Sequence, residues 1–181
     1  LFADVDDFTP RSEGLSAAQV VGLLDRLFSH FDSLAERYGL EKIKTIGDAY
    51  MATAGLDSGA QIHYAGAVAS MAVEMLQKMA EYRGRTGNDI NLRIGIGTGP
   101  VVAGVIGKKK FIYDMWGDTV NVAFRMAADA RAGIVQVDLM THRRLHNRFR
   151  FGQGHEVEIK GKGRMQVFHL TRLRNVSTPQ Q

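Results

Sequence analysis

The spacing of hydrophobic positions divides the first half of the chain into strands and long helices. A short apolar run over residues 1–6 predicts a first strand. Helical spacing follows until Gly39, with Ser16 as the expected cap. The apolar positions of this helix are Val20, Leu23, Leu24, Leu27, Phe28, Phe31 and Leu34. The pattern predicts one long amphipathic helix packed on a sheet.

The next elements are a predicted hairpin, a second long helix and a further strand. Residues 40–46 and 49–54 are β-like runs joined by Gly47-Asp48, which indicates a hairpin. A second long helix is predicted over 59–82 and a strand over 92–96. The order β-α-β-β-α-β predicts an α+β fold with a ferredoxin-like core. In this topology the first strand lies centrally, beside one strand of the hairpin.

The remaining residues predict an additional C-terminal αβ subregion. Its pattern favours strands over 101–106, 111–115 and 134–137, a helix over 118–130, a short basic helix, and a hairpin over 156–160 and 165–170. A length of 181 residues fits one domain. We expect that domain to cover residues 1–171, with a polar tail over 172–181.

Composition excludes several classes of function. The chain has no cysteine, which excludes disulfides, thiolate metal sites and cysteine nucleophiles. The net charge is +4, and basic segments lie at 107–110 and 141–148, where solvated surface is the favoured interpretation. Without an aromatic-interleaved basic face, no nucleic-acid partner is expected. No run approaches the roughly 18 apolar residues of a membrane-spanning helix. The abrupt apolar start suggests a fragment of a longer protein, either membrane-bound or carrying a regulatory domain.

Two aspartates are the strongest candidates for chemistry. Asp4 and Asp48 each lie where a β-like run meets a turn, and the predicted topology brings these turns to one edge of the sheet. Carboxylates completed by substrate phosphates are the usual ligands of Mg²⁺ in phosphoryl transfer. The alternative is a strand-end charge at Asp4 and a turn former at Asp48.

Three motifs, in order, resemble the class III nucleotidyl cyclase catalytic domain. They are Phe2-Ala-Asp-Val-Asp-Asp-Phe-Thr9, Lys44-Thr-Ile-Gly-Asp-Ala-Tyr-Met51 and Tyr113-Asp-Met-Trp-Gly-Asp-Thr-Val-Asn-Val-Ala-Phe-Arg125. The resemblance extends from Phe2 to about Leu170. It implies conversion of a nucleoside triphosphate into its 3′,5′-cyclic monophosphate and pyrophosphate. It also implies two Mg²⁺ or Mn²⁺ ions per site, at the interface of a head-to-tail dimer.

The resemblance assigns metal and purine roles to individual residues. Asp4 and Asp48 match the metal-binding carboxylates, with the Val5 carbonyl as an extra ligand. Lys44 matches the purine-reading position, where adenylate cyclases carry lysine and guanylate cyclases carry glutamate. Asp114 matches the second purine reader, where guanylate cyclases tend to carry a small residue. A cationic donor with a carboxylate acceptor suits adenine and therefore favours ATP.

Further residues match the positions that hold ribose and phosphates. Asn121 and Arg125, four residues apart on one helix face, match the ribose-orienting asparagine and the transition-state arginine. The alternative for Arg125 is a solvated helix arginine. Weaker matches place the backbone of Asp7, Phe8 and Thr9 around the triphosphate. Arg93 and Lys160 match basic residues that contact the outer phosphates.

One motif position departs from the family. Asp6-Asp7 stands where the family usually has Val-Gly, so backbone approach to phosphate meets an added negative charge. Strand alternation places Asp4 and Asp6 on the same side, which makes Asp6 a rival or auxiliary metal ligand.

The favoured interpretation is a cytoplasmic adenylate cyclase homodimer with two composite sites. We expect Asp4, Asp48 and Lys44 to come from one subunit, and Asp114, Asn121 and Arg125 from the other. The alternatives are a guanylate cyclase and a catalytically weak or silent cyclase-homology module that dimerises and regulates a partner.

Overall fold

A computed structural model describes residues 1–56, 64–107, 111–159 and 161–173. These ranges contain ten strands and five helices. In chain order they are β1 (Phe2–Val5), α1 (Phe8–Ser12), α2 (Ala17–Tyr38), β2 (Glu41–Ile46), β3 (Ala49–Thr53), α3 (Tyr64–Thr86), β4 (Leu92–Ile96), β5 (Val102–Ile106), β6 (Ile112–Trp116), α4 (Asp118–Asp129), β7 (Ile134–Asp138), α5 (Leu139–Leu145), β8 (Phe149–Phe151), β9 (His155–Ile159) and β10 (Gly163–Leu173). None of the described helices is long and apolar enough to span a membrane.

The main sheet has the predicted central topology. Its strand order is β2-β3-β1-β4-β7-β10-β8, and β9 pairs with β10. Strand β1 is antiparallel to both of its neighbours, β3 and β4. The parallel pairing of β4 with β7 joins the C-terminal subregion to the same sheet. The α+β fold class and the ferredoxin-like core are therefore confirmed.

Local signals set the ends of α2 as predicted. The Ser16 side chain accepts a hydrogen bond from the backbone N–H of Gln19, and the Gln19 side chain accepts one from Ser16 N–H. This reciprocal capping box satisfies N–H groups that have no acceptor within the helix. At the other end Gly39 takes the left-handed conformation, with φ 66°. Glycine adopts this conformation without steric cost, so the helix ends there.

The two faces of the sheet differ in what covers them. Helices α2 and α3 bury one face, in a core that includes Phe31, Tyr50 and Met75. Helix α4 packs on the opposite face, where Phe2 and Met51 contact its buried alanines. A Cβ on Gly95 would lie 2.1 Å from the Ala123 carbonyl oxygen. A glycine on β4 therefore permits the close approach of α4.

Strand register identifies the side chains that share the α4 face. Phe2 is opposite both Met51 and Gly95, and Met51 is opposite Lys44. Asp4 lies two residues from Phe2 and so points to the same side. Lys44 and Asp4 therefore share the sheet face that carries α4.

Several element predictions need correction. Residues 8–12 form a short helix that the sequence pattern did not predict, and β5 and β6 form a separate two-stranded ribbon. Helix α3 continues to Thr86, beyond the predicted end at 82, and the predicted start at 59 lies outside the described residues. Strand β10 runs to Leu173, so pairing with β8 carries it past the predicted end at 170.

Candidate active site

The β1–β3 pairing brings the two candidate metal ligands together. Asp4 lies opposite Ala49, the residue that follows Asp48. The backbone N–H of Val5 donates to the Asp48 carbonyl oxygen at 3.3 Å. The structure therefore places Asp4, Val5 and Asp48 at one sheet edge, as the topology predicted.

Electrostatics at this edge favour the binding of a cation. Burial raises the pKa of Asp4, and the neighbouring Asp48 carboxylate raises it further, while Arg93 acts in the opposite direction. A cation that binds beside Asp4 would offset both the burial and the repulsion from Asp48.

A third carboxylate and an arginine complete this edge. Arg93 on β4 donates from Nη2 to Asp4 Oδ2 at 2.7 Å, and its Nε lies 3.4 Å from Asp6 Oδ1. Its Nη1 donates to the Ala128 carbonyl oxygen at 3.2 Å. We call the group formed by Asp4, Asp6, Asp48 and Arg93 the acid edge. The shared contact with Arg93 confirms that Asp4 and Asp6 face the same side.

The contact of Arg93 with Asp4 was not anticipated from the sequence. Arg93 was expected only as a phosphate-binding residue. The signal lay in strand register, because Asp4 and Arg93 are directly opposed on β1 and β4. Opposite charges at such positions attract each other across neighbouring strands.

The acid edge suits a hard divalent cation. Among the described residues no group of three or more histidine, cysteine or acidic side chains forms a ready metal site. Mg²⁺ nevertheless needs only one or two carboxylates when substrate phosphates and water complete its coordination. Asp4 and Asp48, with a backbone carbonyl nearby, fit that donor set.

A second charged group lies on the same sheet face. Lys44 on β2 donates from Nζ to Asp114 Oδ2 on β6 at 2.5 Å. Both side chains are partly buried, with 33% and 17% of their surfaces exposed. Burial opposes ionisation of Asp114, but hydrogen bonds from Lys44 and from the Met115 N–H outweigh it and lower the Asp114 pKa. The result is a fixed cationic donor beside an ionised acceptor.

This contact corrects the expected division of the site. Lys44 was assigned to the half with the metal ligands, and Asp114 to the half from the other subunit. The ribbon of β5 and β6 folds against β2 within one chain, which brings Lys44 and Asp114 into direct contact. One chain therefore brings both purine-reading candidates into contact.

Helix α4 positions the remaining catalytic candidates. Asn121 and Arg125 lie one turn apart, on the side of the helix away from its buried residues, with Asn121 exposed and Arg125 half-buried. A methyl group on Gly161 would lie 3.9 Å from both Nη atoms of Arg125. Arg125 Nη1 is buried and has no hydrogen-bond partner among the described residues. A buried guanidinium nitrogen without an acceptor favours an anionic ligand.

The loop after β1 explains part of the Asp6-Asp7 departure. Asp7 precedes α1 with φ 51°, the left-handed conformation. Glycine adopts this conformation freely, and aspartate is among the few other residues that tolerate it. Phe8 and Thr9 open α1, where the first N–H groups have no acceptor within the helix. Lys160 lies outside the described residues.

Comparison with known proteins identifies the family. The family model "Adenylate and Guanylate cyclase catalytic domain" matches residues 1–172. An adenylate cyclase of Mycobacterium tuberculosis is 42% identical over 170 residues, covering 94% of this chain and 38% of that protein. The chain therefore belongs to the adenylate and guanylate cyclase catalytic domain family.

Solved structures agree with this family and include guanylate cyclases. The guanylate cyclase domain of RhGC from Catenaria anguillulae, in complex with GTP, has a TM-score of 0.88 at 33% identity, covering 96% of this chain and 94% of that one. The catalytic core of a rhodopsin-guanylyl cyclase with converted specificity, in complex with ATPalphaS, has a TM-score of 0.86 at 34% identity, covering 94% and 92%. The chain spans 38% of the length of the mycobacterial relative.

Proposed function

We propose that this domain is an adenylate cyclase that converts ATP into 3′,5′-cyclic AMP and pyrophosphate. The contact between Lys44 and Asp114 carries the proposal. Adenine presents an acceptor at N1 and a donor at its 6-amino group, and these match a lysine and a carboxylate. Guanine presents the opposite pattern and would leave both side chains without suitable partners. Unpaired polar groups of this kind are a strong source of discrimination.

The reaction we propose is an in-line attack of the ribose 3′-oxygen on the α-phosphorus. Divalent ions held by Asp4, Asp48 and the Val5 carbonyl would lower the pKa of the 3′-hydroxyl and neutralise the triphosphate. Mg²⁺ and Mn²⁺ both suit these oxygen ligands. No protein side chain at the site is required as a general base.

The other residues of the site orient the substrate and stabilise charge. Asn121 orients the ribose, and Arg125 neutralises negative charge that develops on the phosphoryl oxygens. Its Nη1, which has no hydrogen-bond partner within the described parts of the chain, supports this role. An arginine in a comparable role is worth about 10³–10⁵ in the rate of GTP hydrolysis.

We further propose that the triphosphate lies between the loop after β1 and basic side chains. Backbone N–H groups at Asp7, Phe8 and Thr9 would contact its oxygens. Arg93 and Lys160 would contact the outer phosphates. For Arg93 this requires release of at least one of the contacts it makes within the acid edge.

The active form we propose is a homodimer with two composite sites. One subunit supplies Asp4 and Asp48, and its partner supplies Lys44, Asp114, Asn121 and Arg125. The ribbon of β5 and β6 supports association because it exposes large apolar side chains. Exposed fractions are 69% for Val102, 67% for Ile106, 81% for Phe111 and 55% for Ile112. Contiguous apolar surface of this kind marks interaction sites. Because its substrate is ATP, we place the domain in the cytoplasm.

The direct test is a comparison of the two triphosphates. Purified protein at a concentration that favours dimers is incubated with Mn²⁺ or Mg²⁺ and either ATP or GTP, and cyclic products are separated by chromatography. We expect cyclic AMP from ATP and little cyclic GMP from GTP. A preference for GTP would support a guanylate cyclase instead. No product from a folded dimer would support a regulatory cyclase-homology module.

A further inference from the structure

The acid edge contains a contact that the proposed reaction does not explain. Asp6 occupies a position outside β1, yet its carboxylate lies within ion-pair distance of Arg93 Nε. That nitrogen is buried and has no hydrogen-bond partner among the described residues. Arg93 is thus held by hydrogen bonds to Asp4 and to the Ala128 carbonyl oxygen, and the Asp6 carboxylate lies 3.4 Å from its Nε.

This arrangement creates a conflict for the binding of a metal ion. Arg93 occupies Asp4 Oδ2, an oxygen of a proposed metal ligand. A cation at Asp4 must displace the guanidinium or accept its positive charge close by. Two positive groups competing for one carboxylate weaken each other's binding. Arg93 alone would therefore oppose occupancy of the site.

Asp6 can reduce the competition between Arg93 and a metal ion for Asp4. Its carboxylate offers the guanidinium a second partner without moving Arg93 away from the site. Side-chain exposure of 26% for Arg93 and 16% for Asp6 makes this pair stronger than one on the open surface. Asp4 and Asp6 contact different nitrogens of the same guanidinium, Nη2 and Nε, so Arg93 can keep one partner when it loses the other.

We propose that Asp6 is a positioning residue that takes over Arg93 when Asp4 binds a divalent cation. The inference rests on the proposed metal role of Asp4 and Asp48. Asp6 then acts through Arg93 and not as a ligand. These two roles of Asp6 can be told apart by removing Arg93. If Asp6 acts through Arg93, metal binding no longer depends on Asp6 once Arg93 is absent. If Asp6 is a metal ligand, its contribution to metal binding stays the same.

A double-mutant cycle on metal affinity separates these two roles. Binding of Mn²⁺ alone is measured from the electron paramagnetic resonance signal of free Mn²⁺. We expect Asp6→Asn to weaken binding by about ten-fold, as for loss of a compensating charge near a divalent ion. In the Arg93→Gln background the same change should weaken binding by less than about three-fold. Equal losses in both backgrounds would overturn the proposal.

Matched variants exclude simpler explanations. Asp89→Asn removes the same charge from an exposed carboxylate that pairs with Arg11. It should change Mn²⁺ affinity by less than about two-fold, because its ion pair lies outside the acid edge and solvent screens its charge. Asp6→Glu should restore binding to within about three-fold of the parent protein, since the carboxylate is retained. If it does not, Asp6 is not the partner of Arg93.

Two further controls show which part of the argument fails if the coupling is not seen. Thermal unfolding checks each variant, and Arg93→Met, which also removes the positive charge, replaces Arg93→Gln if the latter does not fold. Asp48→Asn tests whether Mn²⁺ binds at the acid edge at all. If Asp48→Asn has no effect on Mn²⁺ binding, the proposed metal site and the inference both fail. If it abolishes binding but the cycle shows no coupling, only the inference fails.

Discussion

The acid edge and the Lys44–Asp114 pair lie on one face of the sheet but are built in different ways. Adjacent strands and their register create the acid edge, which has three carboxylates and one arginine. The Lys44–Asp114 pair joins a strand of the main sheet to a separate ribbon and has one charge of each sign. An excess of negative charge suits a cation, whereas a balanced pair suits the donor and acceptor of a neutral base.

We expect the acid edge to control the rate of the reaction and the Lys44–Asp114 pair to control the choice of base. Changes at the acid edge should affect the rate with any triphosphate, because every nucleotide carries the same phosphates. Changes at the Lys44–Asp114 pair should instead affect the choice between bases. Three experiments test this separation and the subunit that supplies each part, in order of decreasing effect.

The largest expected effect is a loss of catalysis at the acid edge. We expect Asp48→Asn to lower kcat for ATP by about 10³-fold or more, because an amide cannot replace a charged metal ligand. The loss should be similar in the presence of Mg²⁺ and of Mn²⁺. Initial rates of cyclic AMP formation measure it.

The matched control for this substitution is Asp89→Asn, whose side chain is 70% exposed and pairs with Arg11. Its rate should stay within about two-fold of the parent rate, as is usual for surface changes. Near-parent activity of folded Asp48→Asn would remove Asp48 from the proposed metal site.

A smaller effect is expected on the choice of base. Replacing the pair by Lys44→Glu with Asp114→Ser reverses its donor and acceptor pattern. We expect the ratio of kcat/KM for ATP over GTP to fall by about 10²-fold, corresponding to two mismatched hydrogen bonds. Competition between the two triphosphates in one reaction measures the ratio.

Lys42→Glu makes the same charge change on the same strand and is the control, because Lys42 pairs with Asp32 outside the candidate site. An unchanged base preference in the double variant, with activity retained, would disprove the role of the pair.

The smallest effect tests which residues share a subunit. An equal mixture of inactive Asp4→Ala and Arg125→Ala proteins should recover about a quarter of the parent activity. Random pairing in a two-fold dimer makes half of the dimers mixed, each with one intact site. Mixing Lys44→Ala with Arg125→Ala should give no more activity than the two proteins show separately, because the proposal places both residues in the same half.

Rescue by the Lys44→Ala and Arg125→Ala mixture would return Lys44 to the half with the metal ligands. Absence of rescue by Asp4→Ala with Arg125→Ala, for proteins shown to dimerise, would contradict the shared site itself.

Much of the fold could be predicted because local signals agree with the final structure. Ser16 and Gly39 fix the ends of α2 through capping chemistry that depends only on neighbouring residues. Element order then places β1 beside the hairpin, which is enough to bring Asp4 and Asp48 together. The left-handed backbone at Asp7 was not predicted, since aspartate adopts it only when the surrounding chain requires it.

The sequence alone determined the order of the β-α-β-β-α-β core, the proximity of Asp4 and Asp48, and the family to which the motifs belong. Only the tertiary structure decided that Lys44 contacts Asp114 within one chain and that Arg93 lies between Asp4 and Asp6. The first outcome depends on how the β5–β6 ribbon folds against β2, and the second on cross-strand register between β1 and β4. Both join side chains about 70 or more positions apart. Such contacts arise from packing of whole elements, so no local pattern of residues encodes them.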